Sequence, residues 1–320
     1  MAAAPFVALL AAATCAAAAV APQQANPTVI VAVGAAGEEE FGNQFGQWAA
    51  NWSKAAREAG AKFIGIGPGT SASTNDLALL KSAIESEPVD GPAELWLVLL
   101  GHGTFDSKDA KFNLTGPDLA ATDLAAWLKP VKRPVAVINA SSASAPFMSK
   151  LAAPGRVVIT ATRSGNEVNF ARFGRHLGEA MLDAQADLDK DGQTSLLEAF
   201  LLASSRTAEF YKSEGRLATE HALLDDNGDG LGTPGDWFRG VRAVKKASDG
   251  AALDGLRAHQ FHLVRSAKER QMPPALRMKR DALELQVAKL RESRQGAGDE
   301  DYFKQLEAVL LELARLYEKQ

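Results

Sequence analysis

Thiols are almost missing: the 320 residues contain one cysteine, Cys15. It lies inside an alanine-rich apolar stretch, Met1–Ala21, which ends Ala19-Val20-Ala21. A short apolar run closed by an Ala-x-Ala pattern reads as an export signal cut after Ala21. The cut chain would hold no disulfide and could run no thiolate chemistry. The stretch has no Lys or Arg, so the other reading is an alanine-rich tail. Export would place the protein in a periplasm, at a cell surface or outside the cell. An excess of charge of either sign is also lacking: the net is −4, which excludes a generally basic, nucleic-acid-binding surface. No segment beyond the leader is long and apolar enough for a membrane span. The glycine turn after the first strand, Gly34-Ala35-Ala36-Gly37, lacks the GxGxxG spacing of a dinucleotide site.

What is present alternates. Thr28–Val33, Lys62–Ile66, Leu95–Leu100, Val135–Ile138 and Arg156–Ala161 are short apolar runs of strand type. Between them, Glu38–Ala59, Asn75–Glu85 and Asp118–Leu128 carry helical spacing, the first through Phe41, Phe45, Trp48 and Trp52. A small hairpin is expected around Lys111–Leu114. Strand–helix alternation predicts an α/β fold: a mainly parallel sheet with helices on both faces. The expected organisation is a leader (1–21), an α/β domain (22–240) and a helical tail (241–320).

Two strand ends carry the chemistry. Leu95–Leu100 runs into Gly101-His102-Gly103, and Val135–Ile138 into Asn139-Ala140-Ser141-Ser142. In open α/β sheets, ligands collect beyond the carboxyl ends of strands. A histidine and a small nucleophile on adjacent strand ends make a two-residue hydrolytic site. This pair resembles the caspase/legumain superfamily of cysteine peptidases, which carry His-Gly after one strand and Ala-Cys after the next. The run Asn139-Ala140-Ser141-Ser142-Ala143-Ser144-Ala145-Pro146-Phe147 is similar, in register, to the legumain stretch around the nucleophile. The resemblance spans Thr28 to Arg172 and implies a caspase-like three-layer sandwich. It also implies His102 as acid/base, Ser141 at the nucleophile position, and the N–H groups of Gly103 and Ser141 as oxyanion donors. Serine at that position departs from the family. A hydroxyl needs a well-oriented base, whereas a thiol is partly ionised at neutral pH. Asp106 is a candidate orienter by proximity alone. The legumain specificity pocket is not retained: Asn139 replaces its acidic residue, and Ala35–Trp52 holds no Arg. Two functions follow: a silent pseudopeptidase that binds a peptide or protein, or an active serine hydrolase using Ser141 and His102.

The strongest local motif is Asp187–Glu198. It fits the twelve-residue EF-hand calcium loop: Asp187, Asp189 and Asp191 at alternate positions, then Gly192, Gln193, Ser195 and a closing Glu198. Alternating carboxylates converge on one hard cation, and Gly192 allows the sharp turn. Helical pattern is expected on both sides, Phe173–Asp183 and Leu196–Tyr211. A second loop begins alike with Asp225, Asn227 and Asp229, but Asp236 stands at its last position. It is either an irregular Ca²⁺ loop or a turn. In an exported protein, Ca²⁺ here would be a structural staple.

Beyond Gly240 the chain turns to mixed-charge helix. One helix starts at Pro273-Pro274 and carries Leu276, Leu283, Val287 and Leu290 on one face; another carries Leu306, Val309, Leu313 and Leu316. Gly296-Ala297-Gly298 separates them. A hairpin packed on its own domain is one reading, and self-association through these helices is the other.

Overall fold

The computed structural model describes residues 26–68, 74–249, 251–294 and 299–318. The expected leader with Cys15, most of the Gly67–Ser73 loop and the Gly296-Ala297-Gly298 break lie outside them. The chain runs β1 (Thr28–Val33), α1 (Glu39–Glu58), β2 (Lys62–Ile66), α2 (Asp76–Glu85) and β3 (Leu95–Leu100). Three short strands follow: β4 (Gly103–Phe105), β5 (Ala110–Phe112) and β6 (Leu119–Ala120). Next come α3 (Ala121–Leu128), β7 (Val135–Asn139), α4 (Ala145–Leu151), β8 (Arg156–Thr160), α5 (Phe173–Ala180) and α6 (Leu196–Ser213). The last part holds β9 (Leu223–Asp225), β10 (Thr233–Pro234), β11 (Phe238–Arg239), β12 (Arg242–Ala243), α7 (Leu256–Gln260), α8 (Ala267–Gln271), α9 (Pro274–Ser293) and α10 (Asp299–Tyr317).

The central sheet has seven strands in the order β10-β9-β8-β7-β3-β1-β2. β2, β1, β3, β7 and β8 are parallel; β9 and β10 close one edge antiparallel. Every residue of β1, β3, β7 and β8 is buried. Helices cover both faces, so the strands read as continuous apolar runs rather than alternating ones. Alternation decides only which layer a side chain joins. Val29, Val31, Trp96 and Val98 pack with Phe45, Trp48 and Trp52 of α1 and Leu177 and Phe200 of α5 and α6. Ile30, Leu95, Leu97 and Val137 pack with Leu80, Leu124 and Phe147 of α2, α3 and α4. The result is a three-layer α/β sandwich. Each large apolar side chain so buried contributes about 1.5–3 kcal/mol.

Several expectations shift. Leu119 and Ala120 pair with β5, so α3 starts at Ala121 rather than near Asp118. α5 stops at Ala180, because the Asp183 carboxylate accepts the Gln185 N–H and turns the chain. The approach to the first acidic loop is therefore a series of turns rather than helix. β9 and β10 were not expected; two or three residues are too few to show a period.

The change of character after Gly240 does not mark where packing separates. Ala258, Phe261 and Leu263 belong to the main core, and the Leu196 N–H donates to the Phe261 carbonyl at 2.8 Å. α9 and α10 share a separate core around Leu283, Val287, Val309 and Leu316. They are tied to the domain by Arg280, whose guanidinium meets Glu269 of α8, and by Gln260 of α7 donating to the Asp281 carbonyl and Glu284.

Candidate functional site

β3 and β7 are neighbours, and Leu99 stands opposite Asn139 in register. His102 and Ser141 therefore both emerge at the carboxyl edge of the sheet. Their side chains go different ways. Ser141 is fully buried, 0% exposed. Its hydroxyl lies 2.7 Å from Asn139 Oδ1 and 3.1 Å from the Ser142 carbonyl oxygen, both acceptors. The Ser141 N–H also donates to Asn139 Oδ1, at 3.1 Å. The Gly103 N–H donates to Ser142 Oγ at 3.1 Å, and Ser142 Oγ donates back to the Gly103 carbonyl at 3.1 Å. Gly103 has to be glycine, since a Cβ there would sit 2.3 Å from the Ser142 carbonyl oxygen. Ala143 follows with φ +53, a left-handed conformation that costs a non-glycine residue about 1–3 kcal/mol. Its N–H is held by the Glu167 carbonyl at 2.8 Å.

His102 stands in an aromatic cage. Phe41 and Phe45 approach edge-on at 5.0 and 5.2 Å between centroids, and Phe170 lies at 6.0 Å. Burial pushes the imidazole below its ordinary value, and the Ala36 backbone opposes this in part. Among the described residues no hydrogen bond joins His102 to Ser141. Asp106 does not orient His102: its carboxylate accepts the N–H groups of Lys108 and Asp109 at 3.0 and 2.7 Å and caps its own turn.

The first acidic loop folds around its own carboxylates. Asp187 Oδ2 accepts the Gly192 N–H at 3.1 Å, Asp189 Oδ1 that of Asp191 at 3.2 Å, and Asp191 Oδ1 that of Gln193 at 3.1 Å. Gly192 is left-handed, φ +86, as the turn requires. Ser195 caps α6 and exchanges hydrogen bonds with Glu198, a capping box. Glu198 is buried. Its Oε1 takes the Leu188 and Asp189 N–H groups and its Oε2 takes Ser195. Among the described residues, carboxylate oxygens of Asp187, Asp189 and Asp191 lie within 4.8 Å of one another, as do Asp189, Glu198 and His259. Asp187 Oδ1 is buried without a partner. An orphaned acceptor beside converging carboxylates fits a hard cation. Gln193 faces elsewhere with its side chain, accepting the Ser266 N–H and donating to Asp191.

The second loop repeats the backbone pattern. Asp225 accepts from Gly228 and Gly230, Asn227 from Asp229, and Asp229 from Leu231. Asp236, however, is exposed in a short 3-10 turn. Among the described residues, Asp225, Asp229 and Asp236 do not converge as three carboxylates. A different acid closes this loop: Asp254 takes the N–H groups of Asp226 and Asn227 and the Thr233 hydroxyl.

No family profile matches the chain, and no curated protein matches it. Solved structures do. The Drosophila initiator caspase Dronc is 12% identical over 66% of this chain and 83% of its own, with a TM-score of 0.42. Caspase-1 from Spodoptera frugiperda is 10% identical over 63% and 87%, TM-score 0.41. A Geobacter sulfurreducens protein is 12% identical over 62% and 92%, TM-score 0.41. None of these likenesses extends to chemistry.

Four contributors escaped the sequence. Ser142 occupies the Gly103 N–H. His259 reaches the first loop, 3.1 Å from Asp189 Oδ2. Glu220, buried, holds the Arg172 and Phe173 N–H groups at 2.8–2.9 Å, fixing the start of α5 just past Phe170. His221 pairs with Glu167 at 2.6 Å behind the Ala143 turn. Long-range partners of this kind leave no spacing to read.

Proposed function

We propose that this chain is an exported, calcium-stabilised pseudopeptidase of caspase-like type, which binds a peptide or protein without cleaving it. The family element rests on the Gly-His-Gly and Asn-Ala-Ser strand ends, together with the β2-β1-β3-β7-β8 order of the five parallel strands. One observation carries the silence. Both N–H groups that would stabilise an oxyanion are already spent, Gly103 on Ser142 Oγ and Ser141 on Asn139 Oδ1. The Ser141 hydroxyl is buried and turned to the same Asn139, away from any base. An acyl-transfer site needs donors free for the developing charge and a base within hydrogen-bond reach. A fluorophosphonate probe on the purified protein, beside Ser141→Ala and His102→Ala, is expected to label nothing. Labelling lost in both variants would make this a serine hydrolase. That second reading is favoured by one feature: burial lowers the His102 pKa, which favours the form that accepts a proton.

Calcium belongs to the same proposal. Asp187, Asp189, Asp191 and Glu198 supply carboxylate oxygens, Gln193 its backbone carbonyl and Ser195 a nearby hydroxyl. The second loop would contribute Asp225, Asn227 and Asp229 only, a weaker set. Bound Ca²⁺ neutralises charge crowded into the turn and would brace an exported protein that has no disulfide. The tail leaves Phe303, Leu310 and Leu311 exposed, and self-association through α10 completes the reading. Sedimentation velocity checks it: concentration-dependent dimer is expected, and a monomer at every concentration removes that part.

A further inference from the structure

The opposite edge of the sheet holds a cleft of about 480 Å³ between the end of α3, the start of β7 and the α4–β8 link. Lys129, Lys132, Arg133, Lys150 and Arg156 line it, and no Asp or Glu does. In a chain of net charge −4, that is a local concentration rather than a general excess. Arg156 is built in: it is 9% exposed, and its guanidinium donates to the Leu151 and Leu128 carbonyls at 2.6 and 3.0 Å. It has no carboxylate partner among the described residues. Burial draws its pKa down with no acid to restore it. Arg133 has Glu87, at 3.1 Å, but shares it with Lys62 at 2.7 Å.

Lys129, Lys132 and Lys150 are exposed, and among the described residues none pairs with a carboxylate. Lys129 and Lys150 stand at helix C-termini, where the dipole favours a cation. That account leaves out Lys132, Arg133 and Arg156, which lie outside the helices. The second acidic loop abuts the Ala153–Pro154 backbone through Gly228. Its Asp225 and Asp229 carboxylates are occupied by the loop's own N–H groups. Among the described residues, Arg133 has Glu87 as its carboxylate partner, and the other four cations of the cleft have none.

We propose that this cleft binds a multivalent oxyanion, held by Lys129, Lys132 and Lys150 over the fixed guanidinium groups of Arg133 and Arg156. Compact ammonium groups suit a charge-dense oxyanion, and a concave wall of low dielectric focuses the field on it. The site is separate from His102 and Ser141 and does not depend on what they do. Titration calorimetry on the full chain, at low salt and without divalent cations, tests it with pyrophosphate in one arm and citrate in another. Saturable one-to-one binding that weakens with salt is expected. Lys129→Glu with Lys132→Glu should weaken it by about tenfold or more, and a control pair of equal charge change, Lys54→Glu with Lys304→Glu, by no more than about twofold, since distant exposed charges are screened. Pyrophosphate alone binding assigns a phosphate site; both probes binding assigns a general multivalent-anion site. No saturable binding of either, or equal loss in the cleft and control pairs, overturns the proposal.

Discussion

At the scale of single residues, two side chains close the candidate site: Ser142 Oγ takes the Gly103 N–H and Asn139 Oδ1 the Ser141 N–H. Ser142 both accepts from the Gly103 N–H and donates to the Gly103 carbonyl, so a single side chain satisfies the β3–β4 corner. Placing a thiol at position 141 is therefore not enough by itself. Ser141→Cys is expected to stay inactive toward peptides, whereas Ser141→Cys with Ser142→Ala, which frees the Gly103 N–H and leaves the position-141 N–H on Asn139, should gain weak but measurable cleavage. Ser142→Ala by itself should cost about 1–2 kcal/mol in urea unfolding, because a buried N–H loses its acceptor. Cleavage by Ser141→Cys as strong as by the double variant would show that Ser142 blocks nothing. The sequence made His102 and Ser141 visible because each follows a continuous apolar run. It could not show Ser142 meeting Gly103, a contact 39 residues apart in the chain.

At the scale of elements, the first acidic loop and α6 are one unit. Ser195 starts the helix, and Glu198 closes both the cap and the loop. Differential scanning calorimetry should give a higher midpoint in millimolar calcium than in chelator, by mass action on the folded state. Glu198→Gln should abolish that gain and also lower the calcium-free midpoint, because one of two oxygens that both accept hydrogen bonds becomes a donor facing N–H groups. An unchanged midpoint in calcium would remove the calcium proposal while leaving the cap intact. The loop was legible because its spacing is local. Asp254, which closes the second loop where Asp236 does not, was illegible because it comes from beyond β12. The main strands were legible to within a residue, and β9 and β10 were too short to be seen.

At the scale of the whole molecule, buried titratable groups set the pH range. His262 is pushed down to about 4, first by burial; Asp191 and Glu269 oppose that shift and His259 adds to it. An unfolded histidine takes its proton near 6.5, while the folded His262 refuses it until about 4. Acidification across that window favours the unfolded chain, so stability contributed by neutral His262 is lost as pH falls, by up to about 3 kcal/mol. Asp254 works the other way. Burial first, then the Asp226 charge, raise it to about 8, so its contribution declines as pH rises from about 4 toward 8. Urea unfolding of His262→Gln beside wild type isolates the histidine: the gap between them should narrow on acidification from pH 6.5 to pH 4. A gap independent of pH would place the titration elsewhere.

Residues Ala258, Phe261 and Leu263 share one core with Val29. A ribosome delivers Val29 early and Leu263 only late. Until then the face of the sheet under α1, α5 and α6 lacks part of its cover, and the closing contacts bridge most of the chain. Contacts so distant in sequence slow the search for the folded state. The growing chain would stay open and threadable while it is made, then close in one late step.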